Sequence, residues 1–185
     1  MTLRAITLAL ALGPAICPAA TFVVTNLNDS GAGTLRQAIL DANANAGADV
    51  ITFNLGPGGV QTLILFSVLP EVTDPMTIDG TTQPGYASAP LIELHGGTQP
   101  GHGIVISGPG GALIAGCYIG TDTNGGAAKR NRGQGVSINN SANNIIGGTD
   151  AADRKLAQTF LSAGSGDFPV PCLYRPRRPR NWKVP

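Results

Sequence analysis

The sequence has few charged and few aromatic residues, and these shortages exclude several classes of protein. Charged residues make up 12% of the 185 positions and aromatic residues 5%, whereas glycine occurs 26 times. A disordered chain would carry more charge and fewer apolar side chains. Plentiful glycine argues against a helix bundle, because glycine inside a helix costs stability. The composition therefore favours an all-β protein with many tight turns.

Positive charge is missing from a long central stretch, since residues 37–128 contain no Lys or Arg. Residues 21–152 have a net charge of −5, whereas residues 153–185 have a net charge of +5. The gap disfavours binding of an anionic polysaccharide there, and also a lyase with a basic proton acceptor. The basic tail contains one Trp and one Tyr, too few aromatics for a nucleic-acid surface, so we expect no nucleic-acid partner.

The first 20 residues have the pattern of a secretory signal peptide. Arg4 precedes an apolar run from Ile6 to Leu12, and Ala19-Ala20 provides small residues for cleavage. The run is too short to span a bilayer, so we expect no transmembrane segment. A buried first helix is the alternative. The pattern predicts a secreted protein, or one at the outer cell surface.

Cysteine is scarce, and only Cys117 and Cys172 would remain after cleavage. Their number is too small for a disulfide framework, and their spacing is not that of a metal site. One disulfide between the body and the tail is the alternative. A buried free thiol at Cys117 is the interpretation that we favour.

One segment near the N-terminus has the periodicity of a helix. Thr34 and Gln37 have the spacing of a capping box. Leu35, Ala38, Ile39 and Ala42 recur at helical spacing and form one apolar face. The pattern predicts a helix from about Leu35 to Asn45, with Gly47 as its C-cap.

From residue 49 onward, short apolar stretches alternate with Gly, Pro and Asn, which is typical of strands and turns. The predicted strands are Val50–Leu55, Thr62–Ser67, Met76–Asp79, Leu91–Leu94, Gly103–Ser107, Ala112–Ala115, Cys117–Ile119, Gly135–Asn139 and Asn144–Ile146. Their spacing suits either a sandwich or a solenoid.

An internal repeat favours the solenoid. Residues 103–116 align with residues 135–148 at an offset of 32 without a gap, with Gly and Ile identical at four positions. Self-similarity at a fixed period is typical of stacked units that bury their apolar faces against one another. We therefore predict an all-β parallel β-helix, whose N-terminal edge is covered by the short helix.

The N-terminal segment also carries a family resemblance. Residues 22–43 are similar to the N-terminal motif of bacterial surface proteins named for a Ser-Leu-Arg-Glu-Ala (CSLREA-like) signature, and residues 51–54, 72–86 and 118–122 are similar to that family too. Thr34 stands in place of the Ser and Gln37 in place of the Glu, which keeps the capping-box chemistry. The resemblance implies a right-handed parallel β-helix on a secreted or surface protein. It supplies no single activity and no catalytic residue.

The repeat stops near residue 153, because residues 167–171 do not provide the next glycine-rich unit. We infer a truncation or a lost reading frame near Arg154; a genuine basic tail that binds an acidic surface is the alternative. The predicted organisation is a signal peptide (1–20), a strand with capping helix (21–48), β-helix coils (49–152) and a disordered tail (153–185).

Acidic residues are the candidates for chemistry. Asp79 and Glu93 would approach each other if they stacked on neighbouring coils, and Asp122 lies in the polar loop between the repeats. Such carboxylates would suit a polysaccharide lyase or a glycoside hydrolase. We favour the alternative that Asp79 is an ordinary turn residue.

Metal binding has little support in the sequence. Asp122 begins a stretch that resembles part of a calcium loop but lacks the later ligands, so Ca²⁺ and other cofactors are not expected. His95 and His102 lie in glycine-rich turns, where we expect exposed side chains. The sequence therefore predicts a non-enzymatic scaffold, such as an adhesin fragment, that binds a carbohydrate or a surface protein. A shortened β-helix enzyme is the alternative.

Overall fold

Parallel strands and one α-helix form the part of the chain that the computed structural model describes, which is residues 18–97, 101–121, 131 and 133–147. The elements are β1 (Thr21–Val24), α1 (Leu35–Ala44), β2 (Asp49–Phe53), β3 (Gln61–Ile64), β4 (Met76–Asp79), a 3-10 turn (Gly80–Thr82), β5 (Ile92–His95), β6 (Ile104–Ser107), β7 (Leu113–Ala115), β8 (Cys117–Ile119), β9 (Val136–Asn139) and β10 (Ile145–Ile146). Within these residues, no helix has the length and apolar character needed to cross a membrane.

The predicted strand positions are confirmed. β4 and β8 have the predicted bounds, and the others differ by one to three residues at an end. The largest difference is at β3, which ends at Ile64 rather than Ser67. One more backbone bond to β5 follows, from the Leu65 N–H to the His95 carbonyl oxygen at 2.9 Å, and on the opposite side of the chain the Phe66 N–H donates to the Asp29 carboxylate at 3.0 Å.

The strands form three sheets in which every pair is parallel. The first sheet has the order β1-β2-β4-β7-β10, the second β3-β5-β8 and the third β6-β9. From β4 onward the chain visits the first, second and third sheets in turn, visits them again, and returns to the first sheet at β10. Val72 extends the third sheet through a parallel bridge to Ile106.

A row of apolar residues runs across the inner face of the first sheet. Ile51 is in register with Ile78, and Ile78 with Ile114; all three are fully buried. Phe22 and Ile146 continue the row at its two ends. Burial of an Ile side chain stabilises a fold by about 1.5–3 kcal/mol, so this row is a major part of the core.

Strands of the two repeated segments pair with residues one repeat length, 32 positions, apart, which confirms the predicted alignment. Ile104 pairs with Val136 in the third sheet, and Leu113 pairs with Ile145 in the first. The turns of the two units also approach closely. A Cβ added to Gly110 would lie 1.7 Å from the Ala142 carbonyl oxygen, so only glycine fits at that position.

Helix α1 packs against β1 and β2. Its N-cap is Thr34, whose Oγ1 accepts the Gln37 N–H at 3.2 Å. The Gln37 side chain does not return to the cap; it donates to Asp41 Oδ1 at 2.8 Å. The C-cap is Asn45. Gly47 lies two residues further on with a φ of +130°, and its N–H donates to Asp74 Oδ2 at 3.4 Å.

The predicted fold class, an all-β right-handed parallel β-helix (solenoid), is wrong. The described residues form three parallel sheets together with a helix, which is consistent with an α/β fold, and no solenoid is identified among them. The helix is more than an edge cover. Four of its residues belong to the same hydrophobic core as the strands, namely Leu35, Ala38, Ile39 and Ala42.

Several predictions concern residues outside the described part of the chain. These are most of the signal peptide (residues 1–17), Asp122 and the basic tail (153–185). The proposed domain boundaries therefore remain predictions.

Candidate binding surface

Arg36 and Asp29 form an ion pair that binds the backbone of a second segment. Arg36 Nη2 lies 2.8 Å from Asp29 Oδ1, and Arg36 Nε donates to the Asp29 carbonyl oxygen at 2.8 Å. The same guanidinium donates to the carbonyl oxygens of Ser67 at 2.9 Å and Val68 at 2.5 Å. The two side chains are only 16% and 15% exposed, so water screens the pair weakly.

The Asp29 carboxylate binds the same segment from the other side. It accepts the Phe66 N–H at 3.0 Å and the Ser67 hydroxyl at 3.1 Å. Partial burial acts to raise the pKa of Asp29, but the hydrogen bonds from Arg36, Phe66 and Ser67, with the charge of Arg36, outweigh it and hold that pKa below its ordinary value. Asp29 is therefore a charged structural group, not a proton donor.

Asn43 makes a similar connection further along. Its side-chain amide donates to the Glu71 carbonyl oxygen at 2.7 Å and accepts the Thr73 N–H at 2.9 Å. Val72, between those two residues, pairs on its opposite side with the third sheet. The Asn43 amide thus takes the place of a peptide group at the free edge of this segment. We call Asp29, Arg36 and Asn43 the polar clamp.

Residues 64–68, whose last three residues are bound by Asp29 and Arg36, present three apolar side chains to water. Ile64 is 44% exposed, Phe66 66% and Val68 48%, whereas Leu65 between them is buried. Single exposed apolar residues are common on proteins, but a contiguous patch is typical of an interaction site. We call Ile64, Phe66 and Val68 the apolar strip. The clamp fixes the backbone at Phe66 and Val68, and pairing of β3 with β5 fixes it at Ile64, so the strip is held in one orientation.

A small hollow, partly open to solvent and with room for about one water molecule, adjoins the strip. It is lined by Leu65, Ser67, Val68, Gly96, Gly101 and His102. His102 Nδ1 accepts the Gln134 N–H at 3.0 Å, which leaves Nε2 as the donor of the neutral ring. His95 is half-buried as well, and its Nδ1 accepts the Gly97 N–H at 3.3 Å. Both histidines are thus less exposed than predicted.

The acidic candidates lie apart and support local structure. Asp79 is in the first sheet and accepts the N–H and hydroxyl of Thr81 at 2.9 and 2.6 Å. Glu93 is in the second sheet, is 1% exposed and accepts the Thr62 hydroxyl at 2.6 Å. The two carboxylates therefore do not stack on neighbouring strands. Asp122 lies outside the described residues.

Cys117 is a buried free thiol, as predicted. Burial, and secondly the charge of Asp79, raise the pKa of this thiol to about 12. A thiol must ionise to act as a nucleophile or a metal ligand, so Cys117 is chemically inert in the folded protein. The described ranges also contain no cluster of three or more His, Cys, Asp or Glu side chains placed to hold a metal ion.

Sequence reasoning missed the polar clamp, although a signal for it was present. Asp29, Arg36 and Asn43 all belong to residues 22–43, the stretch that resembles the surface-protein motif. Thr34, Gln37 and the apolar face of the helix are recognisable there because their spacing has a local meaning, whereas the clamp residues bind segments far along the chain. Compared with protein-family models and with curated proteins, the chain matches none of either.

Proposed function

We propose that this chain is a non-enzymatic binding protein, exported to the outer cell surface or the surrounding medium, that holds its ligand at the apolar strip. One observation carries the proposal: Ile64, Phe66 and Val68 remain exposed, although Asp29 and Arg36 fix the backbone of residues 66–68 with three hydrogen bonds and the Ser67 side chain with a fourth. A rigid exposed apolar patch lowers the entropy that a ligand must overcome on binding.

Export has separate support from the sequence. The signal-peptide pattern of residues 1–20 and the likeness of residues 22–43 to surface proteins both favour secretion or surface display. Fusing residues 1–20 to a reporter enzyme in a bacterial host tests this. We expect the reporter outside the cytoplasm, and its retention there, equal to that of a fusion without residues 1–20, would contradict export.

Binding is better supported than catalysis by the state of the carboxylates. Asp79 and Glu93 each accept a threonine hydroxyl within 2.6 Å, and they belong to different sheets. Acid–base cleavage of a glycosidic bond needs two carboxyl groups that flank one bond. Neither residue is placed for that role, so the described residues favour the non-enzymatic alternative.

Two kinds of ligand are considered, a surface protein and a carbohydrate, and the chemistry of the apolar strip favours the protein. The charged groups beside it, Asp29 and Arg36, are already bonded to each other and to the backbone of residues 66–68. An aromatic, uncharged patch is typical of the core of a protein–protein interface. We therefore propose a surface protein as the ligand.

The experiment is a binding survey with the purified full chain on arrays of extracellular matrix proteins and of neutral polysaccharides. Phe66→Ala is expected to weaken binding to the target by about tenfold or more, as for a central aromatic residue of an interface. Val23→Ala is the matched control, because Val23 is 45% exposed but lies in the first sheet. Equal losses for the two variants, or no binding to either array, would overturn the proposal.

A further inference from the structure

Strand β3 is an edge strand of the second sheet. Among the residues that the structure describes, it pairs with β5 and with no second strand, so its other side is free. The Gln61 N–H donates to the Leu91 carbonyl oxygen at 2.7 Å, and the Leu65 N–H to that of His95 at 2.9 Å. Since backbone groups alternate in direction along a strand, the N–H and C=O groups of Thr62 and Ile64 point away from β5.

Just beyond β3, side chains of the polar clamp bond the backbone groups on the same side of the chain. The next N–H that points this way, that of Phe66, is bound by Asp29, and further on Asn43 binds Glu71 and Thr73. The Asn43 amide there occupies the position of a peptide group. The contacts of the clamp with this segment begin at Phe66, so within the described residues the outward backbone groups of β3 at Thr62 and Ile64 are not bonded to the polar clamp.

The surroundings of this edge suit a polypeptide. Ile64 and Phe66 are exposed apolar side chains next to the outward backbone groups. The Thr62 hydroxyl is held by Glu93, so β3 is ordered before any ligand arrives. Regularly alternating N–H and C=O groups match another peptide backbone, and exposed edges of this kind accept added strands.

We infer that β3 binds an extended segment of a partner protein as an additional strand, with alternate apolar side chains of that segment against Ile64 and Phe66. The outward groups of Thr62 and Ile64 provide the backbone pairing. A segment of four residues, about 13 Å long, spans the free part of the edge. This inference rests on the proposed function, because it uses part of the same apolar strip.

A synthetic peptide, acetyl-Thr-Val-Thr-Val-Thr-Val-amide, serves as the probe at about 1 mM, a concentration suited to weak ligands. Amide hydrogen exchange of the full chain is followed by NMR. Addition of the peptide is expected to slow exchange at Thr62 and Ile64 at least about tenfold, while Leu63, already bonded to β5, changes little. Unchanged exchange at Thr62 and Ile64 at this concentration would overturn the inference.

Two N-methylated forms of the peptide provide the matched controls. One is methylated at all the Thr residues and the other at all the Val residues, so each loses the donors on one edge only. Strand addition predicts that one form binds and the other does not. Equal binding of both forms would contradict contact of the Val side chains with Ile64 and Phe66, since either edge would then serve, and binding of neither form would contradict pairing through one edge.

Protein variants separate this inference from the proposed function. Ile64→Lys should abolish the effect of the probe peptide, because charged residues protect strand edges, whereas Val23→Lys should leave it unchanged. If Phe66→Ala weakens binding on the arrays but the probe peptide has no effect, the strip binds its target without strand addition. If the probe peptide binds but the arrays give nothing, the proposed function fails and the edge remains a peptide site.

Discussion

Two regions of the molecule satisfy their backbone groups in different ways. At Phe66, Ser67, Glu71 and Thr73 the partners are the side chains of Asp29, Arg36 and Asn43. At β6 and β7 the partners in the next unit are backbone groups of β9 and β10, in the constant register of 32 residues. The first arrangement depends on a few specific side chains, whereas the second depends on a period and on glycines that allow the chains to approach.

This difference determines which substitutions each region tolerates. Where a side chain replaces a peptide group, substitution of that side chain destabilises the fold, because backbone polar groups lose their partners. Substitution of its neighbours has little effect. Where two backbones bond to each other, most side chains can be exchanged without loss of the contact. Replacing a glycine at the point of close approach destabilises it, because the added atoms have no space. Substitutions in each region test this contrast.

Gly110→Ala should destabilise the repeated region by about 3–5 kcal/mol, because overpacking and an unfavourable positive φ act together. The added Cβ would lie 1.7 Å from the Ala142 carbonyl oxygen, and φ at Gly110 is +98°. Urea unfolding measures the change. Gly31→Ala is the control, since its φ is +99° but nothing lies within 4 Å of the added Cβ. Equal losses at the two sites would mean that close approach is unimportant.

Arg36→Ala should lower the free energy of unfolding by about 2–3 kcal/mol, because it removes charge-assisted bonds and leaves Asp29 partly buried without its cation. Arg36→Lys should recover only part of the loss, since an ammonium group lacks the planar fork that reaches Ser67 and Val68. Gln37→Ala, which removes an exposed bond to Asp41, is the control and should cost much less. Full recovery by Lys would contradict the proposed geometry.

Asn43→Ala should cost about 1–2 kcal/mol through the loss of two hydrogen bonds to the backbone at Glu71 and Thr73. Asn43→Asp should cost at least as much, because it keeps the acceptor for Thr73 but places a carboxylate oxygen against the Glu71 carbonyl. Thermal unfolding of both variants measures this. A stable Asp variant would show that the amide does not act as a substitute for a peptide group.

Acid should weaken the clamp through Asp29. Partial burial opposes ionisation, but the bonds from Arg36, Phe66 and Ser67 hold the pKa of Asp29 below its ordinary value of 3.8. The contribution of the carboxylate to stability is therefore complete above that value and is lost as the pH falls through the lower folded pKa. Asp29→Asn should be less stable at neutral pH and lose stability less steeply below about pH 4. Parallel pH profiles of the two proteins would exclude this role.

Local patterns were enough to place the helix and the strands. The helical spacing of Leu35, Ala38, Ile39 and Ala42 predicted the buried face of α1, and all four are buried. The repeat predicted the register of Ile104 with Val136. Both features depend on residues that are close in sequence or related by a constant offset, which is why the sequence reveals them.

The fold class and the site required information that no local pattern contains. The all-β class was wrong because the buried face of α1 packs into the common core instead of lying outside it. The predicted approach of Asp79 and Glu93 assumed stacked neighbours, but the residues between them, starting with the Gly80–Thr82 turn, carry the chain from the first sheet to the second. Asp29 and Ser67 are 38 residues apart without any periodic relation, so their contact could not be predicted.

The position of the polar clamp near the start of the chain has a consequence for the order of folding. Asp29 meets Ser67 at a separation of 38 residues, and Asn43 meets Thr73 at a separation of 30. Every partner of the clamp is therefore available as soon as residue 73 has been synthesised. These separations are similar to the 32-residue register of the later strand pairs, so the clamp has the advantage of being synthesised first and not that of shorter contacts. The N-terminal end can thus assemble first and serve as the surface on which each later strand is aligned, in the order in which the strands emerge.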